Sequence, residues 1–222
     1  MTKSVLLTRS NSLNAELKDI LKSQKYELLE CSLLEYELQP FDLLEFYKFQ
    51  NVLVTSIFAA HELPEAQFGG MDAWVVGIKS AKILESKGYR IQFVAHDAES
   101  LKHQIPEHIY YDTIYPSSDH ISVKMPVHIT RKIFYKVLYR ESLSNEQLLR
   151  YKQGIHYVLL YSENCAKTLV KLLLENNLMN YLENTTYIVI SSKVERVVKN
   201  YFQKTKILQG TNLILEYLEN ND

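Results

Sequence analysis

One pattern returns along this chain and constrains its fold more than anything else in it: an apolar strand, a small polar residue or glycine, then an amphipathic helix. Val5-Leu6-Leu7-Thr8-Arg9-Ser10 precedes a helix predicted over Leu13 to Leu21, and Val52-Leu53-Val54-Thr55-Ser56 precedes one over Phe58 to Leu63. Trp74-Val75-Val76-Gly77-Ile78-Lys79-Ser80 leads to Ala81 to Leu84. In the second half Val158-Leu159-Leu160-Tyr161-Ser162 leads to Cys165 to Leu174, and Tyr187-Ile188-Val189-Ile190-Ser191-Ser192 to Val194 to Phe202. Strands alternating with helices in this way build parallel sheets with helices on their faces, so the fold class is α/β. Such units gather helix N-termini, with their unpaired N–H groups, along the carboxyl edges of the strands. That edge can hold an anion without charged side chains.

At 222 residues the chain lies between one large domain and two small ones. A net charge of -1 gives no overall attraction to nucleic acid or to anionic lipid, so a polyanionic ligand has to be met locally. Cys31 and Cys165 stand far apart with no second cysteine or histidine at metal-ligand spacing, and read as reduced and buried. Met1-Thr2-Lys3-Ser4 runs straight into a strand without a signal-type region, and no apolar run reaches the ~20 residues of a membrane span. The expectation is a soluble, cytoplasmic protein with no membrane partner. It is expected to be a monomer, since neither half shows a heptad or a long apolar stripe.

The alternation is interrupted twice. Leu33-Leu34-Glu35-Tyr36-Glu37-Leu38, closed by Gln39-Pro40, reads as an extended crossing, and Val137-Leu138-Tyr139-Arg140-Glu141-Ser142 as a second. A strand out and a strand back make a two-stranded linker. On this reading residues 1–36 and 142–222 form a discontinuous α/β domain and 37–141 an inserted one that includes the returning strand. A single continuous doubly wound sheet is the alternative, and periodicity does not separate the two.

Familiar nucleotide motifs are absent. No Gly-x-Gly-x-x-Gly follows the first strand and no Gly-Lys-Ser/Thr loop occurs. The histidines include no His-Glu-x-x-His, so no metal is expected. Ser162 lacks the flanking glycines of a nucleophile elbow, and like Ser10, Ser56, Ser80 and Ser192 it is explained singly as a helix cap. Recurrence of the hydroxyl at equivalent turns is what raises a binding surface. His128 to Arg140 interleaves basic and aromatic residues in the manner of a nucleic-acid binder. Strand alternation instead places Ile133, Tyr135, Val137 and Tyr139 on one face and Lys132, Lys136 and Arg140 on the other, a half-buried strand, so no nucleic-acid partner is expected.

Taken together these segments resemble uroporphyrinogen-III synthases. The resemblance rests on Leu7-Thr8-Arg9 with its following helix, Val54-Thr55-Ser56, Val75-Val76-Gly77-Ile78-Lys79-Ser80-Ala81 leading to Gly88-Tyr89, and Val137-Leu138-Tyr139-Arg140. It continues through Leu160-Tyr161-Ser162 and Ile188-Val189-Ile190-Ser191-Ser192 and covers almost the whole chain. It implies two Rossmann- or flavodoxin-like parallel-sheet domains joined by a two-stranded linker. It also implies a lyase that closes the linear tetrapyrrole hydroxymethylbilane to uroporphyrinogen III, with loss of water and inversion of the last ring, using no cofactor.

The resemblance assigns catalysis to Tyr139 and substrate contacts to Thr8, Arg9, Ser10, Ser56, Gly77, Ser80, Ser162, Ser191 and Ser192. Ser80 keeps the hydroxyl where the family has a threonine. The second such turn departs from the pattern, with Ser191 in place of a glycine and Val194 in place of a threonine. The stretch from Pro116 to Pro126 is too short for the helix that usually follows a strand. Two other readings stay open: a non-catalytic two-domain protein closing on an anionic small molecule, and a flavodoxin-like flavin binder, disfavoured by the absence of a long hydroxyl-rich loop after the first strand.

Overall fold

The computed structural model describes residues 2–9, 11–24, 26–67 and 69–221, the side chains of 11–16 excepted. The chain opens with β1 (Ser4–Leu7), α1 (Asn11–Ser23), β2 (Glu27–Glu30), β3 (Leu34–Leu38) and α2 (Leu43–Phe46). Then come β4 (Asn51–Val54), α3 (Ile57–Glu62), β5 (Asp72–Val76), α4 (Ile78–Ser86), β6 (Arg90–Ala95) and α5 (Ala98–Gln104). They are followed by β7 (Thr113–Ser118), β8 (Thr130–Tyr139), α6 (Asn145–Tyr151), β9 (Tyr157–Leu160) and α7 (Glu163–Glu175). The chain closes with β10 (Thr186–Val189), α8 (Ser192–Lys199), β11 (Thr205–Ile207) and α9 (Thr211–Asn220). It divides into two compact units, Met1–Glu35 with Leu138–Asp222, and Tyr36–Val137.

In the first unit five strands run parallel in the order β11-β10-β9-β1-β2. A parallel sheet covered on both faces needs strands that are apolar on both, and β1 and β9 are buried at every position. Side-chain alternation sorts them into two cores. Leu6, Val158, Leu160, Tyr187 and Val189 join Leu169, Leu172 and Leu173 of α7 and Val194 and Val198 of α8. Val5, Leu7, Tyr157, Leu159 and Ile188 join Leu17 and Leu21 of α1 and Ile214 and Leu218 of α9. Each fully buried aliphatic side chain contributes about 1.5–3 kcal/mol.

One ion pair fastens α6 to the edge strand: Arg150 Nε and Nη2 donate to the two carboxylate oxygens of Glu27 at 2.8 and 2.6 Å. The hydrogen bond from Arg150 holds the Glu27 carboxyl below its ordinary range, against the opposing effect of burial. A carboxyl lowered by folding contributes stability above its unfolded pKa of about 4.3 and loses it as pH falls through the folded value. Because Glu27 is half exposed, Arg150→Leu is expected to cost no more than about 1 kcal/mol at pH 7. The variant and wild-type denaturation curves should converge toward pH 3.

The second unit carries the order β6-β5-β4-β7-β8-β3. From β4 outward to β6 and through β7 to β8 the pairs are parallel. β3 runs antiparallel to β8, since Gln39 N–H donates to Phe134 O while Arg140 N–H donates to Leu33 O. β4 again alternates between two cores, Val52 and Val54 toward Ala59, Ala60 and Leu84, and Leu53 toward Leu101 and Tyr115.

The chain through β7 and β8 is irregular. β7 forms although Pro116 lies inside it; the register with β4 ends at Val52 opposite Ile114, so the missing proline N–H costs no bond on that side. No helix joins β7 to the parallel β8 among residues 119–129. The strict alternation expected along β8 also fails: Ile133 is 46% exposed while the adjacent Phe134 and Tyr135 are both buried. A register shift explains this, Ser117 pairing with Ile133 but Ser118 with Tyr135, so a bulge absorbs one residue and turns the following side chains over. Phe134 then packs on Phe41, and Tyr135 on Tyr36 and Phe58.

Candidate active site

Open parallel sheets bind ligands where the strand order reverses, because the loops leaving neighbouring strands diverge there and leave a crevice. In the first unit the reversal falls between β1 and β9. Thr8 and Arg9 leave one strand, and Tyr161 and Ser162 the other.

Thr8 is turned inward. Its Oγ1 donates to Leu159 O at 2.5 Å and accepts from Cys165 Sγ at 3.1 Å, so its one donor is used inside the fold. A ligand cannot take the hydroxyl proton of Thr8 without breaking that bond. Burial pushes the Cys165 thiol up, so it stays protonated in this role. Thr8→Val is expected to lower stability by about 1–3 kcal/mol in chemical denaturation, because a buried carbonyl loses its partner.

Arg9 lies over the Tyr161 ring, its guanidinium carbon 3.8 Å from the ring centroid. Burial pushes the Tyr161 phenol up to about 12 despite Arg9, so the ring beneath the guanidinium is neutral. Ser162 caps α7, its Oγ accepting from Cys165 N–H at 3.1 Å. Ser191 caps α8 in the same way, accepting from Val194 N–H at 3.4 Å, and Ser192 is the exposed first residue of that helix. Ser10 lies outside the described residues.

Tyr139, at the end of β8, is 40% exposed and receives a hydrogen bond from Asn164 Nδ2 at 3.1 Å. It also lines a hollow of about 220 Å³ with Glu35, Leu138, Arg140, Glu141 and Ser142. The structure therefore brings Arg9, Ser162 and, through Asn164, Tyr139 to the carboxyl edge at α7.

In the second unit the order reverses between β4 and β7. Thr55 Oγ1 and Tyr115 Oη are 2.9 Å apart across that crevice. Ser56 caps the short α3, accepting from Ala59 N–H at 3.4 Å. Arg131 donates to Ser117 Oγ, Ser118 O and Asp119 O at 2.9, 2.8 and 2.9 Å, tying β8 to the end of β7. Burial pushes both Tyr115 and Tyr135 up; Thr55 pulls the first back, Ser56 and Ser118 the second, so both phenols are neutral hydrogen-bonding groups.

Gly77 caps α4 with φ +84°, a conformation that favours glycine, and a Cβ there would meet nothing within 4 Å. The helix start differs from expectation: α4 begins at Ile78 rather than at Ala81, so Ser80 is buried within the helix instead of standing at its entrance.

Sequence reasoning passed over Thr55, Tyr115, Tyr135, Arg131, Tyr161 and Asn164. Thr55 and Tyr161 carried a usable signal, each directly preceding a capping serine; the others meet only through the sheet. Among the described residues no group of three or more His, Cys, Asp or Glu side chains is placed to hold a metal ion. Nor is any helix of these residues long and apolar enough to cross a membrane.

No family model matches the sequence. The uncharacterized protein RP474 of Rickettsia prowazekii (strain Madrid E) is 32% identical, over 90% of this chain and 91% of its own length. The chain belongs to the family of RP474. The fold of this RP474 relative is that of two crystal structures. Uroporphyrinogen-III synthetase from Helicobacter pylori 26695 matches with a TM-score of 0.61 and 14% identity over 100% of both chains. A mutant uroporphyrinogen III synthase from the extremely thermophilic bacterium Thermus thermophilus matches with a TM-score of 0.57 and 12% identity over 99% of this chain and 98% of its own. At such identities the likeness is one of fold.

Proposed function

We propose that this protein is a uroporphyrinogen-III synthase, a lyase acting on hydroxymethylbilane. The observation that carries the reading is the extent of the fold likeness, which spans the whole of both chains rather than one parallel-sheet unit of a common type. Its carboxyl edges add support, since Arg9 and the capped N-terminus of α7 suit the acetate and propionate arms of a tetrapyrrole. In this reading β3 and β8 are the linker between a discontinuous domain (1–36 and 142–222) and an inserted one (37–141). The enzyme works as a cytoplasmic monomer without a cofactor.

Tyr139 gives its phenol proton to the departing terminal hydroxyl, which leaves as water and generates an azafulvene. The substituted carbon of the last ring attacks, and the spirocyclic intermediate recombines at the other carbon. Arg9, Ser56, Gly77, Ser162, Ser191 and Ser192 orient the arms and stabilise charge, a contribution from positioning rather than covalent catalysis. The test is incubation of the purified protein with hydroxymethylbilane and separation of the isomers formed. Uroporphyrinogen III in excess of the spontaneous isomer I is the expected result. Isomer I alone, with tight binding of the tetrapyrrole, would instead identify a non-catalytic binding protein.

A further inference from the structure

Asn164 stands in the first turn of α7, and its Nδ2 donates to the Tyr139 phenol oxygen at 3.1 Å. Both side chains are exposed, so water could replace either partner and the bond adds little to stability. Its effect is directional. An amide donor occupies a lone pair of the phenol oxygen and does not engage the phenol proton. The backbone that carries the donor is held, because Thr168 Oγ1 donates to the main-chain O of Asn164 at 2.8 Å and Ser162 caps the same turn.

We propose that Asn164 is the positioning residue for Tyr139, fixing the phenol oxygen beside the carboxyl end of β9. This rests on the reading of Tyr139 as the proton donor. When the carbon–oxygen bond of the terminal hydroxymethyl group breaks, the phenol proton passes to the leaving oxygen and water departs. The resulting phenolate is stabilised by the Asn164 N–H and recovers a proton from the pyrrole carbon that closes the macrocycle. A hydrogen bond to the oxygen on which charge develops is stronger in the transition state than before it, so its loss appears in kcat rather than in KM.

The variant to make is Asn164→Leu, similar in shape, uncharged and without a donor; Leu is also the better helix former, so α7 persists. Its kcat should fall about 10- to 100-fold, the effect of one hydrogen bond to a charged group, with KM within about twofold. Asn164→Gln, which keeps a donor, should recover part of the loss. In a Tyr139→Phe background Asn164→Leu should change nothing further. The positioning itself is read without turnover: with tyrosine labelled at ring carbon ζ, the resonance missing from Tyr139→Phe belongs to Tyr139, and it should move in Asn164→Leu. An unmoved resonance, or an equal kcat loss in the Tyr139→Phe background, overturns the proposal. Absence of turnover in the wild-type chain would overturn the synthase reading instead, while the resonance still decides whether Asn164 positions the phenol.

Discussion

Tyr139→Phe is expected to lower turnover of hydroxymethylbilane by about 10²- to 10⁴-fold, the range for loss of a general acid. The ring, its place on β8 and its packing remain; only the hydroxyl is deleted. Because Tyr139 is 40% exposed and the Asn164 amide that donates to it is exposed as well, the melting temperature should stay within the small range of surface substitutions. Carboxylates of the substrate can deliver part of the missing proton, which sets the lower end of the range. Comparison of single-turnover rates and thermal melts for the two proteins checks both halves of the expectation. A variant with wild-type turnover would remove Tyr139 from the chemistry and leave a site that acts through shape and backbone dipoles.

Ser162→Asp is expected to weaken tetrapyrrole binding strongly while preserving α7. Aspartate is as good an N-cap as serine and is favoured by the helix dipole, so the fold should be unchanged or slightly stabilised. The new carboxylate stands where an acetate or propionate arm is proposed to lie. Two like charges about 4 Å apart repel by about 1–4 kcal/mol across the effective dielectric range from bulk water to a protein surface, a loss of about 5- to 1000-fold in affinity. Ser162→Asn, which caps without charge, should bind like the wild type. Titration with uroporphyrin III, the stable oxidised form of the product, measures both, and the deficit of the aspartate variant should shrink at high salt. Equal affinities for the serine and aspartate proteins would return Ser162 to a purely structural cap.

The features legible in the chain are those governed by its nearest neighbours in sequence. Apolar runs such as Val52-Leu53-Val54 and Val158-Leu159-Leu160 have no polar face, and a strand of that kind is stable only when covered on both sides; hence the α/β class with parallel sheets. Ser56, Ser162 and Ser191 are likewise local, since a cap bonds an N–H only three residues on. Reading failed where a distant partner decided the outcome. Ile133 and Tyr135 belong to one face by period, yet pairing with β7 inserts a bulge between them and buries Phe134 instead. Ser80 resembles its fellow serines until Gly77 is seen to end the strand and start α4 early.

At the candidate site the same division holds. The order of residues along the chain settles which types stand at each strand end, because hydroxyls, glycine and Arg9 follow their strands directly. What each of them packs against depends on tertiary structure: the neighbour β9 supplies the carbonyl that draws Thr8 inward, and Tyr161 supplies the ring beneath Arg9. Packing also joins Asn164 to Tyr139, residues with no local relation, brought to 3.1 Å because β8 ends beside the first turn of α7. Periodicity reports which face a side chain takes within its own element; the partner across that face comes from the packing of elements far apart in the chain.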